Sequence, residues 1–189
     1  MQVEFIHSGE RRYGVRIKRA NLPNLIMDPA PGFDNDLPHD MVHMVVEAEL
    51  GLQGGVFGQL AAGGTAGSFR LEAGSGKVDA REQARERKRV ARKGQAILQQ
   101  ARDGDISELA AAVFDTLWRS RISNRQVPPP EVAAEMTRLR RSLSAEQASA
   151  FDAAERGILA QFDRLSTQWR ETNVGQSLTI DWPVLSTHT

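Results

Sequence analysis

The stretch Met1-Gln-Val-Glu-Phe-Ile-His-Ser-Gly-Glu-Arg-Arg-Tyr-Gly-Val-Arg-Ile-Lys18 decides the fold. Met1–Ile6 and Tyr13–Lys18 both alternate between apolar and polar residues, the period of a half-buried strand. His7-Ser-Gly-Glu-Arg11 between them supplies turn residues, so the pair reads as a β-hairpin. Leu25-Ile-Met27 reads as a third short strand. At the far end, Ser177-Leu-Thr-Ile-Asp-Trp182 is a strand stopped by Pro183, which cannot donate to a ladder. The pattern between these ends is mainly helical. The predicted fold is α+β: a small antiparallel sheet, made of the N-terminal hairpin plus the C-terminal strand, beside a mainly helical bundle.

Working inward, Asp28-Pro-Ala-Pro-Gly-Phe-Asp-Asn-Asp36 is a loop punctuated by two prolines and a glycine. Asp36 or Leu37 then caps a helix with Pro38 in its first turn, running to about Leu50 and stopped by Gly51. Residues 51–76 hold nine of the sixteen glycines and read as a surface loop or flap with a helical piece near Phe57–Ala62. Helices are predicted over Asp79–Arg102, Ile106–Ser120 and, after Pro128-Pro-Pro130, Glu131–Arg141. Ser144-Ala-Glu-Gln147 is a capping box that opens a last helix to about Thr172. Ala148, Phe151, Ala154, Ile158, Phe162, Leu165 and Trp169 recur along it at spacings of three and four. That stripe is expected to pack on Val132, Met136 and Leu139 as an internal helical hairpin. The organisation expected is one domain, 1–189. Its parts are an N-terminal portion (1–76), a basic helical segment (77–122), the hairpin (131–172) and the C-terminal strand (177–183).

Composition bounds the function. Charge is balanced, with 24 Lys+Arg against 24 Asp+Glu, and 40% of residues are hydrophobic, the mix of an ordinary globular protein. The chain has no cysteine, which excludes disulfides, thiolate nucleophiles and Cys-ligated metals and fits a reducing, cytoplasmic location. Met1-Gln-Val-Glu4 has neither a basic region nor an apolar run, so no secretory signal is expected, and no stretch reaches the roughly 20 apolar residues of a membrane span. Neutrality is nonetheless the sum of two opposed patches. Asp28, Asp34, Asp36, Asp40, Glu47 and Glu49 lie in a stretch without a basic residue, and residues 81–93 carry seven basic residues against Glu82 and Glu86.

The chemistry is concentrated in His39-Asp-Met-Val-His43 with Glu47 one turn on. At roughly 100° per residue, His39, Asp40, His43 and Glu47 fall in one sector of a helix whose other positions are nearly all apolar. Two histidines at i and i+4 bring both imidazoles to one face, the spacing that holds a Zn²⁺ or another divalent ion. The segment resembles the HExxH helix of zinc metallopeptidases, with Asp40 in place of the Glu that serves there as general base. That resemblance implies metal ligands at His39 and His43, a catalytic role for Asp40 assisted by Glu47, and metal-dependent hydrolysis. A third ligand is expected from outside the helix, at Asp34, Asp36 or His7. The string Leu37-Pro-His-Asp-Met-Val-His-Met-Val-Val-Glu47 also resembles an LPHDxVHxxVE-type helix of small bacterial proteins, a likeness that implies no activity.

The remaining feature is a basic stripe. Arg81, Arg85, Arg89 and Lys93 recur every four residues along about 18 Å of predicted helix. This defines the alternative function, a non-enzymatic helical module that binds a protein or a nucleic acid. No aromatics interleave the stripe, and the acidic segment 28–50 is an internal partner for it, so nucleic acid is disfavoured. Gly74-Ser-Gly-Lys77 matches the end of a phosphate-binding P-loop. Leu71 and Val78 stand where that loop needs a glycine and a hydroxyl, so the motif is rejected.

Overall fold

The computed structural model describes residues 1–72, 103–123 and 130–188. The predicted helix at Asp79–Arg102, with Arg81, Arg85, Arg89 and Lys93, and the Gly74–Lys77 segment lie outside the described residues.

The fold is α+β. Six strands form one antiparallel sheet: β1 (Gln2–Gly9), β2 (Arg12–Arg19), β3 (Leu22–Ala30), β4 (Arg70–Leu71), β5 (Ser177–Asp181) and β6 (Ser186–His188), in the order β4-β3-β2-β1-β5-β6. The C-terminal strand thus pairs with the N-terminal hairpin, as predicted. Alternation in the sequence becomes two apolar rungs across four strands. Leu25, Ile17, Val3 and Ile180 are register partners in one, and Met27, Val15, Phe5 and Leu178 in the other. All eight side chains enter the core. The intervening residues carry the other face, where Glu4 accepts from Arg16 at 2.9 Å and lies 3.1 Å from Lys18 Nζ.

β3 is longer than Leu25–Met27. Pro23 and Pro29 conceal it in the sequence because both read as strand breakers. Each falls within one of the two register shifts against β2, where a missing N–H removes no ladder bond. β2 and β3 are joined through Asn21 at φ 60°, a left-handed position that asparagine tolerates. β4 and β6 span two and three residues, too short to leave a periodic signature.

Five described helices complete the fold: α1 (His39–Glu49), α2 (Val56–Ala61), α3 (Asp103–Ile122), α4 (Pro130–Ser142) and α5 (Ala145–Arg170). α1 begins where the Asp34 carboxylate takes the N–H groups of Asp36 and Leu37 at 2.8 and 2.9 Å. Met41, Val42, Met44, Val45 and Val46 sink it into the core. It packs against α3, α5 and α2.

Phe151, Ile158, Phe162, Leu165 and Trp169 are buried as predicted, and α5 packs on α1 and α3. Toward α4, Arg140 lies over the Phe151 ring at 6.0 Å and pairs with Asp152 at 2.6 Å. The Phe151 ring lies 4.9 Å from Phe114 at a tilt of 39°, and Phe162 meets the Trp118 ring edge-on at 6.0 Å. α4 packs chiefly on α3, which is therefore the shared wall of the bundle. Helical spacing fixes which residues of α5 are buried, but not which neighbour buries them.

Candidate metal centre

α1 carries its polar residues along one stripe, as its sequence requires, and the structure divides them among three neighbours. His39 is exposed at the first turn, and His43, one turn on, is 3% exposed. Their Nε2 atoms are 3.1 Å apart, with the rings nearly perpendicular. Two nitrogens held about 2.0–2.1 Å from one ion at a tetrahedral angle stand roughly 3.3 Å apart, so this pair is already at ligand spacing. Glu108 arrives from α3 with Oε2 3.6 Å from His43 Nε2. Among the described residues, His39, His43 and Glu108 are the one group of three metal-ligating side chains whose donor atoms lie within 4.8 Å of one another.

The rear of the site is buried and hydrogen-bonded. His43 Nδ1 lies 3.1 Å from the Ser107 hydroxyl, and that hydroxyl donates to Glu47 Oε1 at 2.9 Å. Glu47 is completely buried, and its carboxylate also receives the N–H groups of Val56 (2.8 Å), Phe57 (2.7 Å) and Gly58 (3.2 Å) from the start of α2. So close an approach requires Gly55, where a Cβ would stand 2.2 Å from the Glu47 carboxyl carbon. Glu47 is thus the hub that joins α1, α2 and α3.

Burial sets the electrostatics here. It drives the His43 pKa down to about 4, helped by the neighbouring charge of His39, so the imidazole is neutral near pH 7 and able to ligate a metal. It pushes the Glu47 carboxyl up to about 7, against its four hydrogen bonds, which favour the ionised form.

Asp40 takes a different direction from the one expected. Its Oδ2 lies 2.5 Å from the Tyr13 hydroxyl, which also lies 2.6 Å from the Pro31 carbonyl oxygen. Burial raises the Asp40 pKa, opposed by the Tyr13 hydrogen bond and by His39. The catalytic roles expected for Asp40 and Glu47 therefore meet a structural obstacle: one carboxyl is engaged by Tyr13 and the other by four donors. Of the expected third ligands, Asp34 and Asp36 are engaged by arginines. Asp34 holds the turn that leads into α1 and pairs with Arg119 at 3.2 Å, and Asp36 lies 3.5 Å from Arg170. His7 bonds through Nδ1 to the Thr172 carbonyl at 2.7 Å and lies tilted against the Phe33 and Trp169 rings, with its buried Nε2 left without a hydrogen bond among the described residues. Asp34 and Asp36 thus find their arginines on α3 and α5.

Sequence reasoning missed Glu108 and Ser107. The available signal was Ser107 itself, a polar residue in helical phase with the buried Ala110, Ala111 and Phe114. A polar group on such a face needs a buried partner. On the open side, Glu108 lines a cleft with Ile106, Leu109 and Ala112 of α3 and with Arg138 and Arg141 of α4. His39 and Glu108 are both exposed, so the three-residue cluster faces solvent on this side.

Comparison of this chain with protein-family models, curated proteins and solved structures yields no match.

Proposed function

We propose that this chain is a metal-binding protein whose centre is His39, His43 and Glu108, and that it takes a divalent transition ion such as Zn²⁺. The observation that carries this reading is the convergence of the two Nε2 atoms and the Glu108 carboxylate at ligand spacing, with the buried imidazole braced from behind. Two imidazoles and one carboxylate suit zinc and other borderline divalent ions better than Mg²⁺ or Ca²⁺, which favour oxygen ligands.

Three protein donors and one position toward solvent is the ligand count of catalytic rather than structural zinc sites. Such an ion supplies Lewis-acid activation of water or of an oxygen-bearing ligand, and metal-assisted hydrolysis is the reaction class this supports. Asp40 does not serve as the proton acceptor in this reading, because its carboxyl is turned to Tyr13. The chain would differ in this from the metallopeptidase helix it resembles.

The test is elemental analysis of protein purified without a His-tag, followed by zinc titration. About one transition ion per chain is expected, with loss in the His39→Ala/His43→Ala double variant and weakening in Glu108→Ala. Metal-free protein whose melting is unchanged by zinc and by EDTA would overturn the reading.

A further inference from the structure

We propose that Glu47 and Ser107 are positioning residues of the metal centre, which together fix His43 as the tautomer with its proton on Nδ1 and a bare Nε2 toward His39 and Glu108. The protons along this buried chain have one consistent placement. The N–H groups of Val56, Phe57 and Gly58 can only donate, so both Glu47 oxygens act as acceptors toward them. Ser107 has one hydroxyl proton, and with the Glu47 carboxyl ionised, as it is at pH 8, the carboxylate oxygen 2.9 Å away takes it. What Ser107 then offers His43 Nδ1, at 3.1 Å, is a lone pair, so Nδ1 must carry the hydrogen. A neutral imidazole has one N–H, and Nε2 is left bare.

Ser107 and Glu47 are 2% and 0% exposed, so no bulk water is available to reverse the order. In the metal-free protein the exposed His39 donates its Nε2 proton to His43 across 3.1 Å, and an ion takes the place of that proton. Metal-bound histidines commonly use their second nitrogen in this way, and loss of the outer partner weakens binding roughly 10- to 100-fold. Here the partner is a hydroxyl whose direction is set by a carboxylate, which is itself oriented by three backbone donors from another element.

The effect on affinity rests on the metal reading, but the tautomer does not. The experiment is therefore long-range ¹H–¹⁵N correlation of the imidazoles at pH 8 in EDTA, then zinc titration of the same samples. In the wild-type chain His43 is expected to show a protonated Nδ1 and a pyridine-type Nε2. Ser107→Ala and Glu47→Gln should move its population toward the Nε2–H form and weaken zinc binding roughly 10- to 100-fold. Ser107→Thr, which keeps the hydroxyl, should restore both. A wild-type His43 with its proton on Nε2 overturns the inference whatever the variants do, as does an unchanged tautomer in Ser107→Ala. The stated tautomer in a chain that binds no zinc overturns the metal reading instead.

Discussion

The Tyr13 hydroxyl oxygen lies 2.5 Å from Oδ2 of Asp40, so the acidic residue between the two histidines is committed to tying α1 to β2. The same hydroxyl stands 2.6 Å from the Pro31 carbonyl oxygen, and its single proton serves only one of these two acceptors. Asp40 accepts from Tyr13, and that hydrogen bond opposes the upward shift that burial gives its carboxyl. Tyr13→Phe leaves a buried carboxyl without its partner and should cost about 1–3 kcal/mol in urea unfolding. Asp40→Asn keeps a side-chain oxygen to accept from Tyr13 and should be tolerated, with zinc affinity unchanged. A large loss of zinc affinity in Asp40→Asn would return Asp40 to the metal centre.

The stability of the metal-free chain should depend on pH through two opposed groups. The folded-state pKa of Glu47 is raised from 4.5 to about 7, so its contribution is full below 4.5 and is lost as pH rises toward 7. The folded-state pKa of His43 is lowered from 6.5 to about 4, so stability is lost as pH falls from 6.5 toward 4. The two slopes partly cancel in the wild-type chain. Glu47→Gln should unmask a stability that climbs with pH across this window, and His43→Gln one that falls. Urea unfolding in EDTA at several pH values between 4.5 and 7.5 measures both. Parallel curves for all three proteins would show that neither group titrates on unfolding.

The sheet was legible because its rungs are made of alternating residues, and the i, i+4 histidine pair because it sits on one helix. Neither signal reaches across the fold. Glu108 and Ser107 join the site only because α3 packs on α1, and no local period encodes that contact. Asp40 and Glu47 are within the polar sector the helix wheel predicts, but the wheel cannot say that one meets β2 and the other α2. β3 shows the opposite failure: its prolines read as breaks, although the ladder accommodates them at register shifts.

The stripe on α5 gives a prediction about packing. Phe162 is completely buried beside Trp118. Phe162→Ala should cost about 3–5 kcal/mol, the range for truncating a core aromatic. Met136, half-buried on α4, should lose clearly less on truncation. If α5 served chiefly as an interface to another chain, Phe162→Ala would instead change oligomeric state with a loss under about 1 kcal/mol, well below the range for a core cavity.

Glu108 separates a three-residue centre from a simple histidine pair. Its side chain is 70% exposed, so its replacement removes no packing of consequence and should leave the metal-free chain within about 0.5 kcal/mol of wild type. An ion held by His39, His43 and Glu108 binds the folded chain and bridges α1 to α3. Zinc at about 100 times its dissociation constant should therefore add about 2.7 kcal/mol to the unfolding free energy. In Glu108→Ala the same zinc concentration should add clearly less. Glu108→Gln, which keeps a carbonyl oxygen but not the charge, should fall between the two. Thermal unfolding of the three proteins with and without zinc reads out the series. Equal stabilisation of wild type and Glu108→Ala would confine the ion to the histidines and remove α3 from its coordination.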